Sequence, residues 1–211
     1  MRLVLISDTH GLHRQMPALP AGDLLVHAGD LTAAGTLEQV AEFCSWFGGL
    51  PHSHKVVIAG NHDFAFERDA TRAEALIPDG VTYLRDAGVT IEGLRMWGSP
   101  WQPWFQDWAF NLRRGPELAA KWAQIPEDVQ VLVTHGPPYG VLDRTLGPPP
   151  RRVGCEALAA RLPALTRLRL HLFGHIHEAY GRVERDGRTS VNASICDVAY
   201  APVNLPVVID L

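Results

Sequence analysis

Five short apolar runs punctuate the chain: RLVLIS (2–7), DLLVHAG (23–29), KVVIAG (55–60), VQVLVTHG (129–136) and LRLHLFG (168–174). Each is too short for a typical helix and is bounded by glycine or polar residues, so each predicts a buried strand. Between them lie helix-forming stretches: 36–48, with Thr36 as N-cap and Gly48 as stop, then 67–76, 116–125 and 155–165. The segment 81–98 reads as hairpin-like strands, and 180–194 holds an Asp186-Gly187 turn of the hairpin type. No repeat or low-complexity linker interrupts this alternation. The order predicts an α/β fold with two packed sheets.

The polar residues that end the strands change the picture from architecture to chemistry. Asp8 and His10 follow the first run and Asp30 the second. Asn61, His62 and Asp63 follow the third, His135 the fourth, and His175 and His177 the last. A glycine stands beside each group: Gly11, Gly29, Gly60, Gly136 and Gly174. Polar groups at strand C-termini of an α/β sheet converge on one crevice, the usual place of a ligand site. The donors are imidazole, carboxylate and amide oxygen with no thiolate, a set suited to first-row divalent metals rather than to a closed structural zinc site. Their number implies two ions, and Asp30, alone at its strand end, is the natural bridging carboxylate. Two divalent cations offset by two aspartates and one hydroxide leave about +1, which attracts a phosphate oxyanion, and the hydroxide is the expected nucleophile.

Composition narrows the reading further. With 46% hydrophobic and 20% charged residues over 211 positions, the chain suits one globular domain spanning 1–211 with a sizeable core. A net charge of -4 argues against a nucleic-acid track, which needs a dominant basic surface. Cys44, Cys155 and Cys196 are odd in number, widely spaced and outside any C-x-x-C, as expected of reduced thiols. The apolar stretch at the N-terminus is far too short for a signal sequence or a membrane span. A cytoplasmic protein without membrane attachment is therefore expected, and the pattern leaves the oligomeric state open.

The set D-x-H, G-D, G-N-H-D, H-G and G-H-x-H, in this order over residues 8–177, resembles the calcineurin-like metallophosphoesterase superfamily. The connecting text in MPALPAGDLLVHAGDLT, VIAGNHDFAFE, GSPWQPWF, VTHGPPYGVLDRT and GHIHEAYG is similar to a narrower branch, the metallophosphoesterase-domain-containing proteins. The resemblance implies a four-layer α-β-β-α sandwich with two central mixed sheets. It implies one metal on Asp8, His10, Asp30 and His177, and a second on Asp30, Asn61, His135 and His175. It makes His62 an outer residue that contacts phosphate and protonates the leaving oxygen, with Asp63 as a candidate to orient it. Manganese is favoured over iron, zinc or nickel. The substrate it points to is a small phosphodiester such as a cyclic nucleotide. A phosphomonoesterase, a nuclease and a phosphate-binding protein with little turnover stay open as alternatives.

Three further residues are candidates for substrate contact. His13 follows the first ligand pair, Tyr139 in GPPYGVLDRT is placed to stack on a base, and Asn192 lies in the segment after the last ligands. The tryptophans at 97, 101, 104 and 108 have helical spacing, but Pro100 and Pro103 break any helix there, leaving core packing or a stacking wall as their roles. His27 and His171 read as sheet residues, and His52 and His54 as loop residues. Asn192-Ala-Ser matches a glycosylation sequon, a reading that requires secretion and that the N-terminus does not support.

Overall fold

The computed structural model describes all 211 residues. One sheet holds β1 (Arg2–Ile6), β2 (Leu24–His27), β3 (His54–Val57), β4 (Val81–Tyr83) and the last strand β13 (Val207–Asp210), in the order β13-β1-β2-β3-β4. The other holds β5 (Ala87–Ile91), β6 (Leu94–Ser99), β9 (Val131–Thr134), β10 (Leu170–Phe173), β11 (Gly181–Arg185) and β12 (Arg188–Asn192), ordered β11-β12-β10-β9-β6-β5. Both sheets are mixed: β13 pairs antiparallel with β1, β11 with β12 and β5 with β6, while the central strands run parallel. A two-stranded ribbon, β7 (Gln102–Pro103) with β8 (Asn111–Leu112), stands apart.

The unbroken apolar runs follow from burial on both faces. Along β1, Leu3 and Leu5 enter the core between the sheets, whereas Val4 and Ile6 enter the core under the helices. Each such side chain contributes roughly 1.5–3 kcal/mol on leaving water, so no position along the run tolerates a polar group without a partner. Helix α1 (Leu37–Gly48) covers the first sheet with Phe43 and Phe47, joined by α2 (Phe64–Arg68) and α3 (Ala70–Glu74). Helices α4 (Pro116–Trp122) and α5 (Glu156–Arg161) cover the second, packing Leu118, Trp122 and Leu158 against it. These are the four layers the resemblance implied.

Several elements follow the sequence reading closely. Thr36 caps α1 by accepting from the Gln39 amide. Asp186 and Gly187, with φ of 53° and 72°, turn β11 into β12. Elsewhere the structure differs. The expected helix over 67–76 breaks at Asp69, whose φ is -140°. The expected hairpin region splits between sheets, β4 pairing with β3 and only β5 and β6 forming a hairpin. Helix α5 gives way to a 3-10 turn at Leu162–Ala164, where Pro163 lacks an amide proton. All three cysteines are buried and unpaired. No helix is long and apolar enough to cross a membrane.

Candidate metal centre

The parallel strands of each sheet end at a shared edge, and the two edges are stitched together where β1 and β12 run out. Ser7 donates its amide to Ala193 (2.9 Å) and accepts from the Ile195 amide (2.8 Å). The strand-end residues of both sheets therefore meet in one crevice. Asp8, His10, Asp30, Asn61, His62 and His135 are all buried.

Four of the site's residues sit in left-handed backbone: Asp8 (φ 52°), His10 (46°), Asp30 (55°) and His175 (68°). Asp and His tolerate this region better than most residues, yet it still costs on the order of 1–3 kcal/mol each. The sum is comparable to the whole net stability of an ordinary domain, about 5–15 kcal/mol. Such strain persists only where the surroundings over-determine it, and four of the chain's eleven non-glycine residues with positive φ are at this site. Two glycines permit the crowding. A Cβ on Gly60 would collide with the Asp30 carboxylate, and one on Gly174 with the carboxylate of Asp8.

Three overlapping groups bring ligand atoms within 4.8 Å of one another: Asp8, His10 and His177; His10, Asp30 and His62; Asp30, His135 and His175. His10 joins the first group to the second, and Asp30 joins the second to the third. Asn61 completes the third group, its Oδ1 lying 2.8 Å from His135 Nε2. Seven residues expected to hold metal are thus one continuous cluster, with Asp30 in the middle.

The imidazoles are aimed by backbone. His135 Nδ1 donates to the Ala28 carbonyl (3.0 Å), His177 Nδ1 to that of Asp197 (2.9 Å) and His62 Nδ1 to that of Ala33 (2.9 Å). Each bond turns an Nε2 toward the cluster, the second-sphere arrangement typical of metal-binding histidines. His10 Nε2 and His177 Nε2 then face each other at 3.2 Å, while the buried His10 Nδ1 has no partner. Two ring nitrogens converging on one point are poorly served by a single shared proton and well served by a common cation. The donor set and its aim fit two divalent ions.

The carboxylates are fixed as firmly. Asp8 accepts from the His175 amide (3.0 and 3.1 Å) and the Ser194 hydroxyl (2.7 Å), and Asp30 accepts from the His62 amide (2.8 Å). Without ions, burial works against the charged form of every group here, and two Asp–His pairs outweigh it. Asp8 is drawn well below the usual carboxylate range, chiefly by His177, and Asp30 is lowered, chiefly by His135. Against the same burial, His135 is pushed up to about 9 by Asp30, and His177 to about 9 by Asp8. Burial prevails at His10, lowered to about 4, and at His175, lowered to about 3.

Four expected contacts are placed differently. Asp63 does not touch the His62 ring; its carboxylate is saturated by the amides of Gly60 (2.8 Å), Leu31 (3.1 Å) and Thr32 (3.0 Å) and by the Thr32 hydroxyl (2.8 Å). It braces two ligand turns against each other, and the orienting role falls to the Ala33 carbonyl. His13 is turned into α1, stacked on Trp46 at 4.4 Å with Nε2 2.9 Å from Glu42. Tyr139 lines a cavity that none of the ligands shares. Its amide donates to the Cys155 carbonyl, and the cavity, of about 210 Å³, is lined also by Pro138, Leu162 and Arg188 on the α5 side. Asn192 is fully buried, donating to the Ile176 carbonyl (2.8 Å) and accepting from Ser194, so it shapes the 174–176 turn.

The tryptophan stretch divides by position. Trp97 is core, Trp101 donates to Asp86 (2.8 Å), Trp104 is exposed, and Trp108 lies against His62 with ring centroids 4.0 Å apart. Three site residues escaped the sequence reading: Ser194, Asp197 and Tyr200. Ser194 alternates with Asn192 after β12, a local hint. The Tyr200 ring stands 4.8 Å from that of His10 and 5.1 Å from that of His177, and nothing in its local sequence announces this.

This architecture and donor set agree with comparison to known proteins. The chain belongs to the calcineurin-like phosphoesterase family, which its residues 1–179 match, and membership places it among the phosphoric ester hydrolases. It is 45% identical over 235 residues to metallophosphoesterase domain-containing protein 1 of Homo sapiens, and equally to that of Mus musculus, covering 100% of this chain and 71% of each relative. Among solved structures it is similar to one from Thermus thermophilus, with TM-score 0.59 and 14% identity over 90% of this chain and 88% of that one. It is also similar to a putative 5'-nucleotidase from Staphylococcus aureus, with TM-score 0.54 and 11% identity over 90% and 48% of the two chains. At those identities the structural likeness speaks for the fold alone.

Proposed function

We propose that the chain, acting as one domain over residues 1–211, is a dinuclear metal-dependent phosphodiesterase for small phosphodiesters, with cyclic nucleotides as the leading class and manganese as the favoured metal. The observation that carries this reading is the single cluster of Asp8, His10, Asp30, Asn61, His135, His175 and His177, in which backbone carbonyls aim the ring nitrogens of His135 and His177 inward. Asp8, His10, Asp30 and His177 would hold one ion, and Asp30, Asn61, His135 and His175 the other. Bound there, the ions supply a hydroxide nucleophile at neutral pH and neutralise phosphate charge. His62 lies beside Asp30 with Nδ1 tied to Ala33, which leaves Nε2 to donate a proton to the departing oxygen as the P–O bond breaks. Trp108 against His62 supports a compact substrate over a polymer. So does the net charge of -4, which offers no track for successive phosphates.

The test is a grid of metal-stripped protein, several divalent ions and a panel of diester, monoester, cyclic-nucleotide and single-stranded DNA substrates at matched salt. Highest specificity constants for a small diester are expected. A monoester preference would make the protein a phosphatase, and faster DNA cleavage at physiological salt a nuclease. Metal loading has its own signature. His135 and His177 hold protons up to about pH 9 without ions, and metal requires both neutral, so loading at pH 7.5 releases a proton from each. Calorimetry in buffers of different ionisation enthalpy measures that release, and its absence would mean that both imidazoles are already neutral before metal binds.

A further inference from the structure

Beside the cluster stand two aromatic rings that no ligand role explains. Trp108 meets the His62 ring at 4.0 Å and is backed by Phe64 at 6.2 Å. Tyr200 meets His10 at 4.8 Å, His177 at 5.1 Å and His62 at 6.3 Å, each at a steep interplanar angle. The two rings share His62 as a neighbour, and Tyr200 keeps 48% of its surface exposed. A large aromatic left this open above a polar crevice is not there for core packing.

The backbone of Tyr200 shows that its position is enforced. Its φ is 59°, a conformation unfavourable for an aromatic residue. The Asp197 side chain holds the turn by accepting from the amides of Ala199 (2.8 Å) and Ala201 (2.9 Å). The Asp197 carbonyl accepts both from the Tyr200 amide (2.9 Å) and from His177 Nδ1 (2.9 Å). One residue thus sets both the imidazole of His177 and the ring beside it, so the two keep a fixed relation to each other.

We infer that Tyr200 and Trp108 form a binding subsite for a planar heteroaromatic group carried by the phosphate ester, and that this subsite selects nucleobase-bearing substrates over sugar or alkyl phosphates. The inference rests on the phosphoesterase reading of the crevice and deepens it by assigning residues to the non-phosphate half of the ligand. Stacking on aromatic side chains tolerates any base, because every base presents a π-face. The chemistry recognised is therefore the base as a class.

The test compares adenosine 5'-monophosphate with ribose 5-phosphate, which share sugar and phosphate and differ by the base, binding to the manganese-loaded protein by calorimetry. The wild type is expected to favour the nucleotide by at least about tenfold. Tyr200→Gly removes the ring while relieving the positive φ, so it is the variant least prone to misfold; Trp108→Ala removes the other wall. The ratio should fall to within about threefold in each and persist in Tyr200→Phe. A wild-type ratio below about threefold, or a ratio unchanged in both ring-deleted variants, would overturn the inference. Because the readout is affinity, absence of diester hydrolysis under every metal would sink the proposed activity while leaving a Tyr200-dependent ratio standing as a separate result.

Discussion

On the floor of the crevice, Asp8, His10, Asp30, Asn61, His135, His175 and His177 lie within a few residues of strand ends, and Asp8, Asp30, His135 and His177 are pinned by backbone amides and carbonyls. Around the rim, Trp108 and Tyr200 hang on longer excursions between strands, and the histidine rings they meet are remote in sequence. The floor is crowded because its side chains, turns and glycines interlock, as the blocked Cβ positions at Gly60 and Gly174 illustrate. The rim has room to differ, since half-exposed rings meet few neighbours. Keeping the chemistry while altering the ligand is physically easier when the two are built on separate pieces of chain.

The sharpest way to break this contrast is on the floor. Asp30→Ala removes the residue shared by two of the three ligand groups, and it should abolish hydrolysis and reduce bound metal for both positions, read by elemental analysis. Retention of two ions in that variant would refute the central place given to Asp30.

His62→Ala tests the boundary between floor and rim. Metal content should stay intact while turnover drops roughly 10²- to 10⁴-fold. The loss should be smaller for a nitrophenolate leaving group, which departs as a stable anion, than for an alkoxide. Equal losses for both would argue against a proton-donor role.

Ser194→Ala probes the support beneath the floor. Its hydroxyl donates to Asp8 at 2.7 Å, and outer partners of this kind are worth about 10- to 100-fold in metal affinity or activity. Metal titration would detect this, and an unchanged affinity would mean that the His175 amide alone suffices to hold Asp8.

The smallest effect is expected on the outer face. Tyr139 lines the cavity by α5 and is 46% exposed. Its replacement by Ala should change kcat/KM for cyclic nucleotides by no more than about twofold, in line with a surface substitution. A tenfold loss would return Tyr139 to the substrate wall and weaken the case for Tyr200.

The amino-acid sequence by itself determined the five core strands, the two-sheet α/β character and the seven candidate ligands with His62, because each of these is a local matter. An apolar run covered on both faces ends where the sheet ends, and the residue just beyond it has nowhere to point except the crevice. Tertiary structure alone decided the rest. Asp63 is a brace because amides of the Gly60 and Leu31–Thr32 turns, brought together by the fold, occupy its carboxylate. His13 stacks on Trp46 of α1 and Tyr139 lines the cavity by α5, placements that depend on residues distant in sequence. The strand at Val207–Asp210 found its place only by pairing with β1 across nearly the full length of the chain. Tyr200 came to overhang His10 and His177 through a turn held by Asp197, a relation between residues far apart in sequence that no periodicity or spacing encodes.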